Sequence, residues 1–565
     1  MIRPLLPVAA LISSITLASA AHVPPVEARG GMVVSAHSLA TEAGRDVLAG
    51  GGNAVDAAIT TAFVLAVVYP AAGNLAGGGF LVSVDPAGNE RALDFREVAP
   101  AASSRDMYLD EHGEVVGRAS LDGWLAVGVP GSVAGLLEAQ ETLGTHTVAE
   151  IIEPARRIAA AGFVLDRRDA DALNHQATRL AQDPGAGAIF TRESGPWSPG
   201  DTLRQPDLAA TLGRIAKDGR SGFYGGLTAK RLADAMVRGK GLITESDLAN
   251  YRPIWRRPVT GAYRGYRVVS MPPPSSGGIA VIGLLTMTEA HRPATLGAGS
   301  SAWVHLQAEM GRRIFSDRAV HLGDPDYWDV PVQGLLDRDY LHRRMSDFDS
   351  QRAGDSSHLS AGAPPSIPAE SDETTHLSVV DKAGWAVSIT TTLNASFGAA
   401  VVAPGTGFLL NDEMDDFSAK AGVPNQFGLV GAEANAIAPS KRPLSSMSPT
   451  ILTRDGRVVL VVGSPGGSRI ITTVFQTIVN VVDFGMNAQE AVSWPRVHHQ
   501  WLPDQIRIEP LALGPDALNA LVARGHRLDI REHPWSMAAA IRVRDDGTLE
   551  AGADPRGPAT AAGVH

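Results

Sequence analysis

Glu373-Thr374-Thr375-His376 sits where a Ser-, Ala-, Gly- and Pro-dense stretch gives way to alternating strand pattern. Thr375–Val380 and Trp385–Thr391 flank Asp381-Lys382-Ala383-Gly384, a hairpin signal. Taken alone, the run is the β-branched start of a strand. It also carries a second reading. Cleavage after Glu373 would free the α-amine of Thr374, which titrates at about 7.7–8.0 and can accept a proton at physiological pH. Nucleophilic hydroxyl and general base would then belong to one residue. The chain has no cysteine, which excludes thiolate nucleophiles, Cys-ligated zinc, iron–sulfur clusters and disulfides. It has no G-x-S-x-G elbow, H-E-x-x-H zinc helix or EF-hand loop. A Ser/His/Asp triad has no fixed spacing and cannot be assigned from sequence. His498-His499 would point to opposite faces of an extended chain, so they read as packing or surface residues.

Periodicity indicates the elements that must position such groups. Ser38–Leu48 places Leu39, Ala43 and Val47 on one helical face, and Gly50-Gly51-Gly52 ends it. Ala54–Val68 is nearly all apolar but holds Asp56, Thr60 and Thr61, and its length suits a buried core helix better than a membrane span. The Gly-rich loop Gly73–Gly79 lacks the Lys and Ser/Thr of a phosphate loop. It leads into a strand, Phe80–Val84, and a second strand, Arg91–Phe95, ends at Arg96-Glu97. Residues 135 to 350 read as mostly helical, for example Val148–Ala161, Leu227–Arg238 and Ala302–Phe315, interrupted by the loop Pro272–Gly278. Residues 350–373 lack apolar periodicity and read as a flexible linker or surface loop. The strand Val458–Val462 runs through Gly463–Ser468 into a helix over 469–484.

With 44% hydrophobic and 19% charged residues among 565, the composition is globular and long enough to bury a large core. A net charge of −11 argues against a general polyanion binder such as a nucleic-acid protein. Arg3, the apolar run Leu5–Leu17 and Ala18-Ser19-Ala20 form a secretory leader, with cleavage expected after Ala20. The run is shorter than the ~20 residues of a span. The mature protein is therefore expected to be periplasmic or secreted, without a membrane anchor.

Several stretches, in this order, resemble the gamma-glutamyltransferase family (gamma-glutamyltranspeptidase, glutathione hydrolase). They include LATEAGRDVLAGGGNAVDAAI, GNLAGGGF, LDFREVAP, PPPSSGGI, TTHLSVVDKAGWAVSITTTLN, NDEMDDFSAK, KRPLSSMSPTI and VVGSPGGSRIITT. The resemblance covers essentially the whole mature chain. It implies an N-terminal-nucleophile αββα sandwich, two stacked and mainly antiparallel sheets between helical layers. It also implies a precursor that cuts itself between Glu373 and Thr374. A large subunit, 21–373, and a small subunit, 374–565, would stay together. No cofactor and no metal are implied.

By the same resemblance, Arg96 would pair with a substrate α-carboxylate through its two-pronged guanidinium. Ser445 and Ser446 would add hydroxyl donors to that carboxylate. Asn394, Glu413 and Asp416 would hold the α-ammonium, whose three N–H donors suit two carboxylates and an amide oxygen. Thr392 would orient Thr374, and the backbone N–H groups of Gly466-Gly467 would converge on an oxyanion. Ser, Asn and Gly-Gly in loops also simply cap or turn a chain, and only the joint match marks them as site residues. Glu413 stands where many bacterial members carry Gln. Phe427 lies in a segment resembling the family's lid over the donor pocket, where many members carry Tyr, and it cannot make that tyrosine's hydrogen bond to Asn394. The implied reaction transfers the γ-glutamyl group of glutathione or related amides to water or to amino-acid and dipeptide amines. Two alternatives are an acylase for glutaryl β-lactams and a non-catalytic periplasmic binding protein. A glutaryl group has no ammonium for Glu413 and Asp416 to meet.

Overall fold

The computed structural model describes residues 23–362, 374–420 and 433–565. The expected leader, Glu373 and Phe427 lie outside the described residues. The apolar run Ala54–Val68 is a helix with every residue buried. Asn53 caps it. Its Oδ1 accepts from the N–H groups of Val55 and Asp56 at 2.9 Å, and the Asp56 carboxylate accepts from Asn53 N–H at 2.8 Å. This reciprocal pair satisfies donors that the first turn leaves without helical partners. Asp56 also accepts from Gln140, Thr145 and His146. Burial raises this carboxyl, but the donors outweigh burial and hold it down at about 2. The helix Ser38–Ala49 crosses closely at Gly44, where a Cβ would lie 2.2 Å from Thr61 Oγ1.

Two seven-stranded sheets occupy the centre, and every pairing within them is antiparallel. Sheet I runs in the order Thr560–Val564, Gly31–Ser35, Thr375–Asp381, Ala386–Thr392, Gly78–Val84, Glu90–Asp94, Ile254–Arg256. Sheet II runs Val26–Ala28, Leu549–Ala553, Ala539–Val543, Arg457–Gly463, Thr450–Arg454, Tyr266–Ser270, Val259–Tyr263. Each sheet mixes strands that precede Thr374 with strands that follow it.

The period of two sorts the side chains of sheet I. Leu377, Val379, Val387 and Ile389 face the core beneath the helices of the first third. Val380 and Ala386 face the other way, into one core with Leu460 and Val462 of sheet II. On that inner face hydroxyls tie the sheets together. Ser378 Oγ donates to Ala539 O at 3.3 Å and Ser388 Oγ to Val462 O at 3.4 Å. The helices Gly277–Thr288, Ser301–His321 and Ser468–Val482 cover the far side of sheet II. The result is the layered α/β sandwich expected.

Two local details add to the sequence reading. Residues 135–350 are mostly helical, and within them Ile254–Arg256, Val259–Tyr263 and Tyr266–Ser270 are strands towards one end of each sheet. The tight turn between the last two uses positive φ at Arg264 and Gly265, as two-residue hairpin loops require. Within 350–362 the chain is a hydrogen-bonded loop. Gly354 N–H donates to Glu309 at 2.9 Å and Gly362 N–H to Asp317 at 2.8 Å.

Candidate active site

Thr374 lies directly before the strand Thr375–Asp381 and is 7% exposed. That strand runs between Gly31–Ser35 and Ala386–Thr392 in the middle of sheet I. Two residues on, His376 points between the sheets. Its Nδ1 lies 2.9 Å from Thr390 Oγ1 and its Nε2 lies 3.1 Å from Ser378 Oγ. Burial pushes this imidazole down to about 3, so it is neutral at physiological pH. A Cβ on Gly463 would lie 2.3 Å from the His376 ring. That contact brings the end of strand Arg457–Gly463, and the loop after it, to the Thr374 end of sheet I.

The loop carries Gly466 and Gly467, with φ of +123° and +56°. L-residues rarely adopt such values, and a Cβ on Gly466 would also lie 2.0 Å from Ser536 Oγ. Gly467 is the N-cap of the helix Ser468–Val482 and makes no side-chain cap bond. Backbone N–H groups at such a helix start favour negative charge.

Thr392 ends the neighbouring strand, and its Oγ1 accepts from Asn394 N–H at 2.8 Å. Asn394 has φ +72°, and its Nδ2 donates to Asp412 O at 2.9 Å. Asn74 was not singled out from the sequence, yet it braces this corner. Its Nδ2 donates to Thr392 O at 2.8 Å and to Thr391 Oγ1 at 3.2 Å, while its Oδ1 accepts from Gly77 N–H and Ser132 Oγ. A polar side chain inside the Gly-rich loop before a buried strand was the available signal.

Arg96 follows strand Glu90–Asp94 and is 1% exposed. Its guanidinium pairs with Glu413 and with Asp416, and Glu97 lies 3.6 Å away. Nε donates to Pro443 O at 3.2 Å and Nη2 to Leu444 O at 3.0 Å. The residues expected to meet opposite ends of a substrate therefore meet each other here. Three buried carboxyls surround one guanidinium, and burial pushes Glu97 up to about 7 against the pull of Arg96. Burial likewise drives Glu413 well above the usual carboxylate range, with Arg96 opposing. Ser445 and Ser446 follow directly. Ser445 O accepts from Ser276 N–H at 2.7 Å and Ser276 Oγ at 2.9 Å.

His498 and His499 sit in separate hydrogen-bonded surroundings, with Thr472 and Gln500 and with Asp504 respectively. Among the described residues His305, Glu309 and His526 come close enough to hold a cation. Their atoms are already engaged. His305 Nδ1 lies 2.6 Å from His526 Nε2, His305 Nε2 lies 2.8 Å from Asp349 O, and Glu309 accepts from Arg313 and Gly354.

Residues 40–564 match the family described as gamma-glutamyltranspeptidase. The chain is 47% identical over 533 residues to a glutathione hydrolase proenzyme of Escherichia coli K12, covering 94% of this chain and 91% of that one. It is 37% identical to an acylase ACY 1 proenzyme of Pseudomonas sp. SE83, covering 93% and 92%. A cephalosporin acylase structure from Bacillus halodurans superimposes with a TM-score of 0.85 at 26% identity, covering 98% and 100%.

Proposed function

The chain belongs to the gamma-glutamyltranspeptidase family, and on that footing we propose how its residues divide the work of γ-glutamyl transfer and glutathione hydrolysis. The observation that carries the proposal is the Arg96 pair with Glu413 and Asp416, made by a guanidinium that also donates to Pro443 O and Leu444 O, directly before Ser445 and Ser446. A zwitterion can replace that pair end for end. The α-carboxylate of a γ-glutamyl donor takes Arg96 and the two serine hydroxyls. Its α-ammonium takes Glu413, Asp416 and Asn394. An acyl group without an ammonium would leave two buried carboxylates facing nothing, which costs several kcal/mol per buried charge, roughly.

Cleavage between Glu373 and Thr374 exposes the Thr374 amine. Thr374 Oγ attacks the γ-carbonyl carbon, and its proton passes to that amine. The oxyanion forms against the N–H groups of Gly466 and Gly467, each worth roughly 3–4 kcal/mol in comparable sites. As the C–N bond breaks, the amine returns the proton to the leaving nitrogen. Water, or the amine of an acceptor, then attacks the Thr374 ester and releases glutamate or a new γ-glutamyl amide. Thr392, held by Asn394 and Asn74, keeps the Thr374 side chain in line. The leader over residues 1–20 directs export. No described helix is long and apolar enough to cross a membrane.

N-terminal sequencing of the purified protein tests the processing step, with starts expected at Ala21 and Thr374. Rates on γ-glutamyl-p-nitroanilide and on a glutaryl cephalosporin test the donor. Preference for the cephalosporin would replace this reading with that of the acylase relatives.

A further inference from the structure

Arg318 lies near the end of the helix Ser301–His321 and is 2% exposed. Its guanidinium carbon sits 5.8 Å from the Phe315 ring centre. Two of its nitrogens reach hydroxyls. Nε donates to Ser276 Oγ at 3.0 Å, and Nη2 donates to Ser446 Oγ at 3.0 Å. Ser276 in turn holds the carbonyl of Ser445 through both its N–H and its hydroxyl. One guanidinium thus contacts Ser446 directly and Ser445 through one intermediary. Arg96 binds the same loop at Pro443 O and Leu444 O. The segment Pro443–Ser446 is held at one end by Arg96 and at the other by Arg318.

We propose that Arg318 is a positioning residue for recognition of the donor's α-carboxylate, an inference that rests on the donor reading above. A serine hydroxyl has one proton and two acceptor sites. With a guanidinium N–H occupying an acceptor site of Ser446, that hydroxyl is oriented to spend its own proton as a donor. The nearby positive charge polarises the O–H bond and strengthens its bond to an anion. Through Ser276, Arg318 also sets the height of the Ser445 backbone, and with it the Ser445 hydroxyl. A carboxylate entering here meets Arg96 directly and the field of Arg318 behind the two serines. The planar guanidinium fixes the two contacts relative to each other, which a flexible ammonium does less well.

The test compares γ-glutamyl-p-nitroanilide with 4-aminobutyryl-p-nitroanilide, which keeps the ammonium and lacks the α-carboxylate. In the processed wild-type enzyme the ratio of the two kcat/KM values measures carboxylate recognition. Arg318→Met is expected to lower that ratio by about tenfold to a hundredfold, mainly through KM of the first substrate. Arg318→Lys should restore part of it. Ser276→Ala leaves the guanidinium in place and should lower the ratio several-fold, which keeps the test decisive if Arg318→Met fails to fold or to expose Thr374. Equal loss on both substrates, or an unchanged ratio in Arg318→Met and Ser276→Ala, overturns the positioning role. A wild-type ratio near one overturns the donor reading, and this role with it.

Discussion

The neighbourhood of Thr374 and the neighbourhood of Arg96 are both buried, but they are built from opposite materials. At the Thr374 end of sheet I the groups are neutral: Thr392 at the end of the neighbouring strand, the His376–Thr390–Ser378 hydrogen bonds, and the loop after Gly463 that carries Gly466 and Gly467. Around Arg96 they are acidic, with Glu97, Glu413 and Asp416 gathered on one guanidinium. The first region presents dipoles that need not reorganise when charge develops in a transition state. The second holds a guanidinium among acidic groups, whose mutual attraction compensates desolvation. In the proposed function, bond making and ligand recognition would use different electrostatics at the ends of two strands of the same sheet.

The contrast can be broken most severely at the neutral side. Thr374→Ala should abolish the second N-terminus and lower turnover about ten-thousand-fold or more, seen as one uncut band on a denaturing gel. Arg96→Gln should break the charged side. It leaves buried carboxylates without their cation, costing about 3–5 kcal/mol of stability, and should raise KM for a γ-glutamyl donor far more than it changes kcat. A Gln at 96 that altered kcat alone would erase the proposed division. Gly466→Ala sharpens the comparison, since strain and the contact with Ser536 should disturb the oxyanion amides. A fall in kcat of about tenfold to a hundredfold at nearly constant KM is expected from steady-state kinetics.

The smallest effect concerns pH. His376 is held at about 3 by burial, whereas an unfolded histidine titrates at about 6.5. Below that value the unfolded chain binds a proton that the folded one refuses. Stability is therefore full above about 6.5 and falls by about 1.4 kcal/mol per pH unit towards 3 for this group. His376→Gln should flatten part of that slope in thermal midpoints measured between pH 4 and 7. An unchanged slope would mean that the inter-sheet space is more polar than its hydrogen bonds indicate.

How much of this was legible in the sequence varies with the physical cause. The hairpin after Thr374 and the helix Ala54–Val68 follow from period-two and all-apolar patterns, which are local. The helix expected over Ala302–Phe315 runs on to His321, where Arg318 and His321 carry charge or polarity that on its own would favour solvent. The fold instead buries them against the serine loops and Gly362. The site residues were reached through family resemblance. Their pairing was not, since Arg96 and Glu413 are far apart in the chain and meet only because sheet I places their loops together. The short strands between 254 and 270 were not read for a related reason: they are stabilised by neighbours, most of which come from elsewhere in the chain.

The mixed strand order of both sheets has a consequence for the life history of the enzyme. If the backbone is cut before Thr374 as proposed, neither product retains a complete sheet, so neither would be a folding unit by itself. Only the uncut chain carries, in one molecule, the instructions for both sheets. Maturation would then be a one-way door: the active form inherits a shape that it could not find again after unfolding, and its durability is governed by how slowly it opens rather than by a reversible equilibrium.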